Sequence, residues 1–367
     1  AAVTRGTTIM TWTLLPASQF AAHAQRWQTL NAATANSPLL EPDFVIPLLK
    51  EFAGERELLA YYERGGELLA MAVLTPRRRG VWETFQPSQA PIGLWLHRPA
   101  VQLDTLLDEL LRKLPGFPLV LSLIQRDPAL SPRPFDTGSV QTLNYVDTAK
   151  ITLQGSFEDY WATRGKNLRT NMKKQRTKLQ KEGIAARMQS SRDPAEMAQA
   201  IADYGRLESA GWKAQGGTAI HPDNAQGRFY TSMLENFCKR GAATVNRYWF
   251  DDRLVAMNLC IEGDGSLIIL KTTYDESVDK TFSPAFLMLE ETTQQLYAEQ
   301  KFNRLEFYGK VMEWHLRWTD EVRSLYHVNN YRWPALLKLH TMIKNRAAAK
   351  AQPGAIGVGQ DAKPSVE

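Results

Sequence analysis

The chain repeats itself. Leu68-Leu69-Ala70-Met71-Ala72-Val73-Leu74 and Leu254-Val255-Ala256-Met257-Asn258-Leu259-Cys260 are identical at three of seven positions, and each is the second run of a strand-like hairpin. The context repeats too. In the second half, Met197, Ile201, Tyr204 and Leu207 recur at three- and four-residue steps within Asp193 to Ala210, the period of an amphipathic helix. A second helix is predicted over Asn224 to Lys239, with Phe229, Met233, Leu234 and Phe237 inward and Gly241 beyond its end. Strands follow over Thr244 to Phe250, Leu254 to Glu262 and Ser266 to Thr273, separated by Asp251-Asp252 and Gly263-Asp264-Gly265. Pro284 to Gln300 reads as a helix and Arg304 to Phe307 as a short strand.

The first half carries part of this order. Leu58 to Glu63 and Leu68 to Leu74 form a hairpin around Gly65-Gly66. A third strand is predicted over Pro91 to Leu96, a helix over Val101 to Leu114 and a strand over Leu119 to Ile124. These spacings predict two α/β domains of one type joined near residue 150, over 10–150 and 151–345. Residues 1–9 read as a ragged leader before Met10, and 346–367 as a disordered tail.

Composition narrows the chemistry. Hydrophobic residues are 44% and charged residues 23% of 367, which suits packed domains without staples. No stretch reaches the roughly 20 apolar residues of a membrane span. Two cysteines, Cys238 and Cys260, make no disulfide framework and lack metal-site spacing, so a reducing cytoplasm is the expected compartment and no metal is expected. Six scattered histidines contain no i, i+4 pair, and no phosphate loop or nucleophile elbow is present. The net charge of +5 is concentrated: Arg164 to Lys181 holds eight basic residues and no acidic one.

Several ordered motifs carry a resemblance. Leu207-Glu208-Ser209-Ala210-Gly211-Trp212-Lys213, followed by Gly217-Thr218, resembles the E-x-x-G-W-K…G-T segment of BioF2-like acetyltransferases, often labelled CelD/BcsL after cellulose biosynthesis. Ser283-Pro284 is similar to that family's S-P-G helix start, and Glu306 to Trp318 aligns with its D-F-G-x-G-x-x-x-Y-K-x-x-W pattern. Glu306, Phe307 and Trp318 fit, whereas Tyr308, Lys310, Trp314 and His315 depart from it. Leu168, Arg169, Asn171, Leu179, Glu182 and Gly183 resemble a helix shared with FemAB-type transferases. The resemblance implies two tandem GNAT-like domains with mainly antiparallel mixed sheets flanked by helices, the first degenerate and the second carrying the active site. It implies an acyltransferase that moves an acetyl or other acyl group from acyl-CoA to an amine or hydroxyl.

Under that reading each candidate residue has a role and an ordinary alternative. Ser283 and Ala285, at a helix start, would hold the CoA pyrophosphate on free N–H groups, or merely cap a helix. Backbone amides near Lys271, Thr272 and Thr273 would polarise the thioester carbonyl. Glu208 would take the acceptor's proton, with Trp212 and Lys213 beside it binding the acceptor, or these form a helix-end ion pair and a packed indole. Tyr308 would protonate the departing thiolate. His315 stands where the family has lysine and would act as acid or base, or pack among tryptophans. Glu306 and Trp318 would contact substrate.

The basic run is a solvated helix face, a contact for phosphates of CoA, tRNA or a lipid-linked sugar, or an attachment to an anionic membrane surface, peripheral to the inner membrane. The family implies a sugar or surface-polysaccharide precursor as the small-molecule or glycan acceptor. A FemAB-like transferase using aminoacyl-tRNA, and a non-catalytic GNAT-fold module in polysaccharide biosynthesis, are the alternatives.

Overall fold

The computed structural model describes residues 11–209 and 219–351. The expected leader over 1–9, the candidates Trp212 and Lys213, and most of the expected tail lie outside the described residues. The first half runs β1 (Thr11–Pro16), α1 (Ala24–Ala33), α2 (Pro42–Phe52), β2 (Leu58–Arg64), β3 (Glu67–Arg78), β4 (Val81–Thr84), β5 (Trp95–His97), α3 (Leu103–Lys113) and β6 (Val120–Arg126). Then come β7 (Val140–Thr152), α4 (Phe157–Thr163) and α5 (Lys166–Glu182). The second half runs β8 (Ala186–Ser191), α6 (Met197–Ser209), α7 (Ala225–Lys239), β9 (Ala243–Phe250), β10 (Arg253–Gly263), β11 (Ser266–Tyr274) and α8 (Pro284–Glu299). It closes with β12 (Arg304–Glu306), α9 (Glu313–Trp318), β13 (Val322–Tyr331) and α10 (Pro334–Ala351).

The turns explain the hairpins. Gly65 and Gly66 both take positive φ (58° and 82°), as do Asp264 and Gly265 (47° and 64°), the conformation that two-residue hairpins require. Asn224 starts α7 by accepting the N–H of Gly227 on its side-chain oxygen at 2.8 Å.

All the strands join one mixed sheet, in the order β1-β2-β3-β4-β6-β13-β7-β12-β11-β10-β9-β8, with β5 pairing β3 off this path. Read from either end, five strands of one half lead to the centre, where the last strands are exchanged. β13 from the end of the chain pairs with β6, and β7 pairs with β12. β7 and β13 pair antiparallel between them. The junction expected near residue 150 therefore falls inside β7. Pairing is parallel only at β4–β6 and β11–β12. The strand expected over Pro91 to Leu96 is instead the short β5, and the strand that follows the β2–β3 hairpin is β4. α10 extends into the expected tail as far as Ala351.

One face of the sheet is covered by α1, α2, α6 and α7, whose apolar side chains make a core continuous across both halves. Phe44 of α2 meets Phe229 of α7 edge-on at 5.4 Å. On the other face, α3 packs over the first half and α8 with α5 over the second.

Candidate active site at the β11–β12 wedge

β11 and β12 pair over only three positions, Ser266 to Ile268 against Arg304 to Glu306. Past that point they part. Phe307 gives its N–H to Ala149 of β7 at 3.2 Å, and Tyr308 turns the chain at φ +51°. β11 runs on to Tyr274, so its outer segment has no strand on that side. A wedge opens between the two strands.

A bulge sets what faces the wedge. Leu259 pairs with Lys271 but Cys260 pairs with Ile269, so Leu270 is one extra residue on β11. An extra residue reverses the alternation beyond it. Ile269 faces the α8 side; after the bulge, Thr272 and Tyr274 also line the cavity there. Lys271 is carried to the opposite face, its ammonium 5.9 Å from the ring of Tyr230 on α7.

On the α8 side lies a cavity of about 780 Å³, walled by Thr272, Tyr274, Ser283, Ala285, Phe286 and Phe307 among others. Three of the five residues expected to hold a cofactor, Thr272, Ser283 and Ala285, are thus brought together. Thr273 is buried and Lys271 faces the other way. Ser283 makes no cap bond with its side chain; its N–H goes to the side-chain Oε1 of Gln175 on α5 at 2.7 Å. This leaves its hydroxyl uncommitted to the helix and fixes α5 against the start of α8. Lys174 and Lys178 of α5 border a second hollow that reaches Thr281, two residues before Ser283.

The opposite face holds the carboxylates. Glu208, at the end of α6, is 3% exposed and accepts the N–H of Ile220 at 2.7 Å. Burial raises the hydroxyl pKa values of Tyr204 and Tyr230, and the charge of Glu208 adds to both. Gly205 permits this contact: a Cβ there would lie 2.5 Å from the Ile220 carbonyl oxygen.

Glu306 and Tyr308 face a polar cavity of about 340 Å³ at the seam between the halves, with Lys150, Arg304 and Asp264. The Tyr308 hydroxyl donates to Asp127 Oδ2 at 2.8 Å, and Arg323 joins Asp127 to Glu306. Burial raises the Glu306 pKa against the pull of Arg323. Burial also opposes ionisation of Asp127, but the Arg323 hydrogen bonds outweigh it and hold that carboxyl below its usual range. Burial, then the charges of Asp127 and Glu306, push the Tyr308 phenol well above its ordinary value, which counts against the acid role expected for it.

Two further expectations are revised. Trp318 is 0% exposed, in contact with Trp161 and Phe286, and so is a core residue rather than a substrate contact. His315 is 5% exposed; its Nδ1 accepts the Met312 N–H at 3.0 Å, capping α9, and its ring stacks on Trp314. Burial lowers its pKa to about 4, so it is a neutral cap at pH 7. Asp127, Arg323 and Lys150 were not anticipated. The repeat held a signal for Asp127, because it follows β6 as Phe307 follows β12.

The first half has the same parallel pair but no wedge. Gly93 lies between β4 and β6, its N–H bonded to Gln125 O at 3.3 Å. A Cβ at Gly93 would stand 2.4 Å from Ile124 O and 2.5 Å from Thr84 Oγ1. The chain's own backbone fills the space.

The basic run forms α5 and its approach. Arg176 pairs with Glu290 and Glu291, Lys178 with Asp279, and Arg164 with Asp320. Lys166, Arg169, Lys173, Lys174 and Lys181 are exposed and make no ion pair among the described residues. Among the described residues, no group of three or more His, Cys, Asp or Glu is placed to hold a metal, and no helix is long and apolar enough to cross a membrane. Both cysteines are buried, which raises their pKa values.

Residues 166–316 match the family model of the acetyltransferase (GNAT) domain. No curated protein gives a significant sequence match. Among solved structures the chain resembles FemX at 8% identity, covering 88% of this chain and 98% of that one, with a TM-score of 0.54. It also resembles the C-terminal domain of a protein assigned as a lysylphosphatidylglycerol synthetase from Agrobacterium fabrum, at 12% identity, 92% and 99% coverage and a TM-score of 0.53. At such identities the likeness is one of fold. The wedge, its bulge and the α8 cavity all lie within the segment that matches the GNAT acetyltransferase domain, on a fold shared with FemX.

Proposed function

We propose that this chain is an acyltransferase that moves an acetyl or other acyl group from acyl-CoA to an amine or hydroxyl, with the thioester lying in the β11–β12 wedge. The observation that carries this reading is the parting of β11 from β12 directly beside the start of α8. The first turn of α8 offers the Ala285 amide, the positive end of the helix dipole and a free serine hydroxyl to a pyrophosphate; Phe286 and Leu287 give their N–H groups to Ser283 O. The bulged segment Lys271 to Thr273 offers backbone N–H groups to the thioester oxygen as it gains charge. The acceptor approaches from the α6 face. Its nitrogen or oxygen attacks the carbonyl carbon, its proton passes to Glu208 directly or through water, and the C–S bond breaks to release the CoA thiolate, which takes a proton from solvent. No enzyme nucleophile is needed. Tyr308, Glu306 and Lys271 line the acceptor side as positioning groups. The family resemblance supports a sugar or surface-polysaccharide precursor as acceptor.

The test is calorimetric titration of acetyl-CoA into the full chain and into Ser283→Asp. Micromolar binding that the variant loses supports the reading; absence of binding at millimolar ligand overturns it.

One observation favours a second reading, transfer from aminoacyl-tRNA. The unpaired cations of α5 lie beside the start of α8 and suit a phosphate backbone. Salt-dependent tRNA binding without CoA binding would select it.

A further inference from the structure

We propose that the cavity at the end of β6 binds a carboxylate, held by Arg126. Arg126 is 7% exposed. One terminal nitrogen donates to Trp95 O at 3.0 Å and the guanidinium also meets the neutral Tyr326 hydroxyl, while its Nε is buried without a hydrogen-bond partner. No carboxylate stands within ion-pair distance among the described residues. The adjacent Asp127 is committed elsewhere: Oδ1 accepts from Arg323 and from the Ala129 N–H, and Oδ2 from Arg323 and Tyr308. A guanidinium buried without a close counter-charge is costly, and the cost falls when an anion enters. Carboxylate oxygens match its fork of N–H groups.

The space fits that ligand. Arg126, His97, Gln125 and Leu130 border a cavity of about 80 Å³. That is several times the roughly 10–15 Å³ that one water needs on the same measure, room for a carboxylate and the first atoms that carry it. His97 accepts from Trp95 Nε1 at 3.1 Å on Nδ1, so its own proton sits on Nε2 and can be donated. Thr34, Ala35 and Leu130 wall both this cavity and the seam cavity of about 340 Å³ beside Glu306 and Tyr308. The ligand class is therefore a small molecule with a terminal carboxylate and a polar body, such as an amino acid, a hydroxy acid or a sugar acid. The proposal concerns binding and stands apart from the acyl-transfer reading; where both hold, this molecule is the acceptor.

The experiment is thermal unfolding of the full chain with acetate or N-acetylglycine, against acetamide or N-acetylglycinamide at matched ionic strength. Carboxylates should raise Tm by roughly 3–6 °C at saturation and the amides should not. Arg126→Met should abolish that rise while unfolding, without ligand, no earlier than the wild type. A shift from acetate alone identifies a free small anion as sufficient; a shift only with N-acetylglycine identifies the end of a larger molecule. No carboxylate-specific shift in the wild type, or a shift retained in Arg126→Met, overturns the proposal. Should Arg126→Met not fold, the carboxylate-against-amide comparison on the wild type still decides, and Arg126→Lys, which cannot pair through a planar fork, should weaken the shift.

Discussion

Arg323 and Asp127 clasp the two halves of the chain together. Arg323, on β13, donates Nε to Asp127 Oδ1 and a terminal nitrogen to Oδ2, both at 2.8 Å, while its other terminal nitrogen reaches Glu306 at 2.9 Å. Asp127 belongs to the loop after β6, so the pair spans the sheet at the seam. A two-point guanidinium–carboxylate contact in a buried place fixes orientation as well as distance.

Asp127→Asn leaves Arg323 buried with Glu306 as its remaining carboxylate partner, and should destabilise the chain by about 2–3 kcal/mol. Tyr308→Phe, which deletes only one donor to the same carboxylate, should cost about 1 kcal/mol. Urea unfolding of each variant checks both; equal losses would mean that the ion pair is not the dominant contact.

Gly93→Ala should be destabilising by about 1–3 kcal/mol, because the added methyl meets the Ile124 carbonyl and the Thr84 hydroxyl and the backbone between β4 and β6 must shift. The denaturant midpoint reads this. An unchanged midpoint would show that the first-half plug is loosely held.

Stability should fall on acidification through the imidazole range. Burial lowers His97, with Arg126 adding to the effect, to about 3, and burial lowers His315 to about 4. Unfolded imidazoles titrate near 6.5. Below that pH the unfolded chain takes up protons that the folded chain refuses, so the stability is full above pH 6.5 and declines as pH drops toward 4. The combined loss should be on the order of 2–4 kcal/mol. Replacing both histidines by leucine should flatten the curve of unfolding free energy against pH over this window.

The exchange of β7 and β13 predicts a single unfolding transition. Each half's sheet is completed by a strand from beyond the other's elements, so neither half has a finished core alone. Far-ultraviolet circular dichroism and tryptophan fluorescence should give coincident denaturation curves. Two separated transitions would contradict the coupling.

The hairpins and helices of the second half were legible because each carries its own signal. β10 and β11 flank an Asp264-Gly265 turn, and α7 begins at a capping asparagine. β7 and β13 were not legible. Val140 to Thr152 contains Gln141, Thr142, Asn144, Asp147 and Lys150, and its strand character comes from neighbours distant in sequence. α2 was hidden by Pro42 and Pro47. The same division holds for the site. Ser283 was found because Ser-Pro announces a helix start, although its hydroxyl does not cap. The Asp127–Arg323–Glu306 cluster is assembled from β12, β13 and the loop after β6, and no local pattern joins them. The bulge at Leu270, which turns Lys271 away from the α8 cavity, depends on how β11 pairs with β10 and has no mark in the letters.

The order of manufacture gives the strand exchange another consequence. Synthesis runs from the amino terminus, so β6 is made long before β13, its partner at the centre of the sheet. Until residues 322–331 emerge, β6 presents an unpaired edge. β7 is the next strand made, but in the finished sheet it lies one place farther away. A β6–β7 hairpin is thus the competing structure that the nascent chain must avoid or undo, and β13, made well after both, is the strand that displaces it.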